Sequence, residues 1–138
     1  MRKPITVALA ALAAALVLPS TASATPGSGV SGTILAQRTV GHTDLTLREI
    51  TIQPGGYTGW HFHDGTLYAY VKSGTLTHNV ADCSVDGVYH AGRAFTEKPD
   101  QVHIGRNLGS TPLVLEVLYV LPAGSPLSED APNPGCGF

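Results

Sequence analysis

From residue 32 onward the chain alternates short apolar, β-branched runs with turn residues. The runs at 33–39, 45–52, 66–71, 75–80, 88–90, 101–106 and 113–121 read as strands. Gly41-His42, Pro54-Gly55-Gly56, Ser73-Gly74, Gly92 and the segment 107–110 punctuate them. No segment after the first 24 residues keeps a 3.6-residue apolar period, and no internal repeat is found. Many short strands at this spacing predict an all-β sandwich or barrel. In the longest run, 113–121, Val114, Glu116, Leu118 and Val120 share one face. A charge there is costly unless paired or wet. Glu116 therefore either faces a barrel interior, as a base or a replacement metal ligand, or faces outward against Arg48 or Arg106.

The two ends read differently. Arg2 and Lys3 precede an apolar run at 5–18, and Ala22-Ser23-Ala24 follows. A basic start, a short apolar stretch and an A-x-A site predict a secretory signal peptide over 1–24, cleaved after Ala24. The apolar run is shorter than the roughly 20 residues a spanning helix needs, and no later run is long enough. Residues 25–31 are rich in Gly, Ser and Pro and are expected to be flexible. The tail 122–138 is rich in Pro and Gly and is expected to be irregular. One domain fits the remainder, with the barrel expected at 32–121.

Charge narrows the partners. The formal net charge is −2, and losing Arg2 and Lys3 with the leader carries it to −4. Without a basic patch, nucleic acid is a poor partner. Cys83 and Cys136 are the two cysteines. In an exported chain an even count favours a disulfide between them, which would tie the tail to the domain. The alternative, a metal or redox pair, lacks any compact Cys spacing.

The candidate chemistry lies in His61-Phe62-His63 and the distant His103. Residues two apart on a strand point to one face. With His103 returning from a later strand, three imidazoles can meet around a divalent transition ion such as Mn, Fe, Ni, Cu or Zn and leave positions open. Asp64 reads as part of a turn and could at most orient a histidine. His42, His78 and His90 have no motif company and receive no role.

These residues also carry a family resemblance. Gly55, five residues, His61-Phe62-His63 and then Val71-Lys72-Ser73-Gly74-Thr75-Leu76 resemble the first motif of the cupin superfamily. Gly92, Pro99-Asp100, His103 and Asn107 resemble the second. The resemblance covers roughly 45–121 and implies a single jelly-roll β-barrel with a metal in its mouth. It departs at one point: the family's Glu ligand should fall at 67 or 68, and these are Leu67 and Tyr68. Tyr68 is either a phenolate or water-bonding group, against a reference pKa near 10, or a barrel-lining aromatic. A group of small exported bacterial cupins with the same loss and a Cys-containing tail is also similar.

Three roles follow: a metal-dependent enzyme of the dioxygenase or isomerase type, an exported binding module for a small molecule, and a barrel with a decayed site. The missing Glu favours binding over catalysis. No G-x-S-x-G, P-loop or dinucleotide glycine motif occurs. The resemblance is compatible with a monomer or a homodimer.

Overall fold

The computed structural model describes residues 25–138. The signal peptide expected over 1–24 lies outside them. Ten strands and no helix make up the described residues: β1 (Ser28–Val40), β2 (Thr43–Tyr57), β3 (His61–Phe62), β4 (Thr66–Ser73), β5 (Thr75–Val80), β6 (Val85–His90), β7 (Ala94–Glu97), β8 (His103–Arg106), β9 (Leu113–Pro122) and β10 (Glu129–Asp130). Every pairing is antiparallel. One layer runs β1-β2-β9-β4-β7 and the other β6-β5-β8-β3-β10. The layers are joined where Tyr57 of β2 pairs with Arg106 of β8. The result is the jelly-roll β-barrel that the strand spacing and the motifs anticipate.

Alternation sets the inside and the outside. On β9, Leu113, Leu115, Val117, Tyr119 and Leu121 are buried, and the residues between them are half-buried. On β2, Ile50 and Ile52 face the same core, as do Leu67, Ala69 and Val71 of β4 and Leu76 of β5. Burial of this apolar surface is the main stabilising contribution, at roughly 25 cal/mol per Å². The corner between β4 and β5 needs Gly74. Its φ is +79°, and a Cβ there would sit 2.8 Å from the Leu113 Cα. Asn107, the last residue of the second motif, is fully buried and builds the turn after β8. Its amide donates to the carbonyls of Ile52 (2.9 Å) and Thr111 (2.8 Å), and its Oδ1 accepts from the Gly109 N–H at 3.0 Å.

Two expectations are corrected. Residues 28–31 belong to β1, with Val30 and Ser31 paired to Ile52 and Thr51, so only 25–27 precede the first strand. The tail is not irregular throughout. Cys136 is bridged to Cys83, and β10 pairs with β3. Ala131 and Cys136 pack with Trp60 and Ile104 in a second, smaller core, and Phe138 stacks on Trp60. The tail thus extends the second layer of the barrel.

Candidate metal centre

β3 and β8 bring the histidines together by register. His61 and His103 are direct cross-strand partners, and His63 follows just past the end of β3. The His61 ring centroid lies 4.8 Å from that of His63 and 4.4 Å from that of His103. His63 and His103 are buried, and His61 is half-buried.

Their orientation is set by backbone carbonyls. Nδ1 of His61 lies 2.9 Å from the Gly59 oxygen, Nδ1 of His63 lies 2.6 Å from that of Leu127, and Nδ1 of His103 lies 2.7 Å from that of Gln101. A carbonyl can only accept, so each Nδ1 carries the ring proton and each Nε2 keeps its lone pair. The three ligand atoms lie within 4.8 Å of one another. Nε2 of His63 and of His103 are buried with no hydrogen-bond partner. Burial, with the neighbouring His103 and His63 adding to it, pushes the His61 pKa down to about 3, so this imidazole is neutral and available as a donor.

A carboxylate stands beside them. Glu97, at the end of β7, places Oε2 3.3 Å from His63 Nε2 and 3.5 Å from His103 Nε2. Its Oε1 lies 3.4 Å from Nε2 of the buried His78 on β5, whose Nδ1 is 2.5 Å from Asp86 Oδ1. Burial pushes the Glu97 carboxyl up, but the imidazoles of His103, His63 and His78 that face it outweigh this and hold it well below the usual range. For His78 burial works downward, and the Glu97 and Asp86 carboxylates overcome it and raise the pKa. The centre is therefore three neutral-capable imidazoles and one anionic oxygen, with Nε2 of His78 3.4 Å from the far oxygen of Glu97. Converging lone pairs of this kind, with two buried nitrogens unpartnered, fit a divalent transition ion.

The sequence comparison decides the family. The family model described as a cupin domain matches residues 48–121. This chain belongs to the cupin family. Solved cupin structures share its fold. A cupin domain from Bordetella pertussis Tohama I is 23% identical with a TM-score of 0.58, over 70% of this chain and 95% of that one. A cupin-like protein from Thermotoga maritima is 18% identical with a TM-score of 0.62, over 78% and 80%. The polyketide cyclase RemF from Streptomyces resistomycificus is 20% identical with a TM-score of 0.61, over 86% and 87%. Among curated proteins, none matches this chain.

Measured against the family pattern, this cupin has no carboxylate on β4 but one on the strand beside it. Leu67, where the first motif expects Glu, is the cross-strand partner of Glu97. From that position on β7 the Glu97 carboxylate reaches His63 and His103. The two fourth-ligand candidates from the sequence are corrected. Tyr68 is 54% exposed on the outer face of β4, because alternation places Leu67 and Ala69 inside. Glu116 also faces outward, opposite Glu49, and Lys72 Nζ bridges the two carboxylates at 2.6 Å (Glu49) and 3.6 Å (Glu116). Glu97, His78 and Asp86 escaped the sequence reading. The alternation of Phe95 and Glu97 against Thr96 was the available signal, but only the β4–β7 register aims it.

Beside the centre the barrel holds a cavity of about 40 Å³ lined by His61, His63 and Glu97 and by the apolar side chains of Leu67, Leu76, Phe95 and Leu115. An outer chamber of about 110 Å³ continues from it past Arg48, Tyr119 and Asp130. Together they have room for several waters or for a molecule of a few heavy atoms.

Proposed function

We propose that this cupin is an exported protein that holds a divalent transition ion through Nε2 of His61, His63 and His103 and a carboxylate oxygen of Glu97, and presents it to a small molecule in the barrel. The observation that carries the reading is the commitment of all three Nδ1 atoms to backbone carbonyls, which turns the three lone pairs toward one another. Export is supported by the leader and by the Cys83–Cys136 bridge, since such bridges persist outside the cytoplasm. A bound ion of this class polarises a ligand oxygen or, if redox-active, exchanges electrons with it. This chain's residues orient the ion, keep Glu97 anionic and surround the ligand with apolar walls. Mn, Fe, Ni, Cu and Zn all accept imidazole ligands, so availability decides among them.

Metal content measured by elemental mass spectrometry on the tag-free mature protein tests the reading. Near-stoichiometric metal is expected, and its loss in the His61→Ala/His103→Ala variant. No metal in the parent protein after incubation with each of the five ions would sink the reading and leave a barrel with a decayed site.

Glu97 also favours a second reading, a metal-dependent cupin enzyme of the dioxygenase or isomerase type. The case for binding alone rested on a missing carboxylate, and Glu97 removes that reason. Turnover of a bound organic ligand by the metal-loaded protein, absent in the metal-free form, distinguishes the two.

A further inference from the structure

Arg48 has no role in the metal centre, and its position calls for one. Alternation on β2 puts Arg48 on the same face as Ile50 and Ile52, inside the barrel. Its guanidinium lines the outer chamber together with His61, His63 and Tyr119. None of the ion pairs among the described residues includes it. A half-buried guanidinium facing a cavity with no carboxylate in ion-pair contact is an unfavourable arrangement unless an anion joins it. The backbone also makes room for it. β1 crosses the guanidinium at Gly32, where an added Cβ would run into the Arg48 Nη2, Nε and Cζ atoms. The Tyr119 hydroxyl, raised by burial and pulled back by Arg48, lies beside it as a second hydrogen-bond donor.

We infer that the ligand of this cupin is a small organic acid whose carboxylate is held by Arg48 and the Tyr119 hydroxyl, with a hydroxyl or keto oxygen directed at the histidine centre. The inference rests on the metal-site reading for its second half only. A planar guanidinium fork matches a carboxylate, and the shared chamber limits the acid to a few carbons beyond it. Asp130 lines the rim of the same chamber, so the solvent-facing part of the ligand is neutral or cationic and a polyanion is disfavoured.

The test uses the mature, disulfide-intact protein loaded with Zn²⁺, with metal content measured in parallel. Calorimetric titration compares lactate with its neutral amide, lactamide. Lactate is expected to bind at one per chain, and lactamide at least about tenfold more weakly, the worth of a hydrogen bond to a charged group. Arg48→Gln is expected to weaken lactate by about 10- to 100-fold with metal content unchanged. Gly32→Ala, which keeps the arginine but displaces its head, is expected to weaken lactate and leave lactamide alone. Equal binding of lactate and lactamide by the parent protein, no binding of lactate, or unchanged lactate affinity in Arg48→Gln would overturn the inference. If the protein takes up no metal yet still prefers lactate in an Arg48-dependent way, the carboxylate seat stands and only the metal reading falls.

Discussion

At the scale of single residues, the centre works by pairing each polar atom with a role. His61 illustrates the cost of placing an imidazole among others. The unfolded chain protonates it near 6.5, whereas the folded, metal-free protein does so only at about 3. Between these values the unfolded state binds the extra proton, so folding stability falls as pH drops. The His61 contribution is complete above pH 6.5 and is lost toward pH 3, by at most about 1.4 kcal/mol per pH unit. His78 acts in the opposite sense: its raised pKa contributes stability below 6.5 that is lost as pH rises through the folded value. Urea unfolding of the metal-free protein across pH 3–6.5 is expected to show the acid-side loss, and His61→Gln is expected to flatten it. A parent protein whose stability is independent of pH across that window would contradict the neutral, buried state assigned to His61.

At the scale of strands, register decides which side chains share the site. β3 against β8 sets His61 opposite His103, and β4 against β7 sets Leu67 opposite Glu97. Since a cross-strand pair on one face has Cβ atoms about 5 Å apart, a carboxylate can serve the same ion from either strand. Glu97→Leu is therefore expected to weaken metal binding by at least about 10- to 100-fold, the range for losing even a group that only orients a ligand. Adding Leu67→Glu is expected to recover most of the loss, as read by competition with a chromophoric chelator. A double variant no better than Glu97→Leu would show that the β7 position itself is required. The same periodicity explains the outer pair Glu49 and Glu116: like charges directly opposite repel, and Lys72 between them offsets this.

At the scale of the whole molecule, the tail couples the disulfide to the metal centre. Cys136 holds the tail to Cys83, β10 pairs Asp130 with His61, and the Leu127 carbonyl accepts the His63 Nδ1 proton. The Ala131 N–H donates to the Trp60 carbonyl at 2.9 Å, closing the tail over the small core. Removing a bridge from a small exported domain typically costs about 2–5 kcal/mol. Cys83→Ser/Cys136→Ser is expected to lose stability of that order in thermal melts. It is also expected to bind metal more weakly, because His63 loses the carbonyl that orients it. Metal affinity unchanged by the loss of the bridge would show that β10 holds His63 unaided.

The all-β class was legible in local alternation and turn residues, the jelly-roll barrel and the histidine trio in two motifs that resemble a known family, and the cysteine pair in an even count. Strand alternation, turn residues and the spacings Gly55 to His61 and His103 to Asn107 all act over a few residues. Glu97, the buried His78–Asp86 pair and the inward Arg48 were not legible. Their roles depend on which strand lies beside which, and on the one-residue choice of register that sends a side chain inward or outward. Glu116 and Tyr68 show the same limit from the other side, since both alternate correctly within their strands and still face solvent. The sequence by itself determined the elements and the kinds of ligand atom available. Only the tertiary structure decided which carboxylate joins the histidines, because pairing between distant strands is a property of the folded barrel and of no single segment.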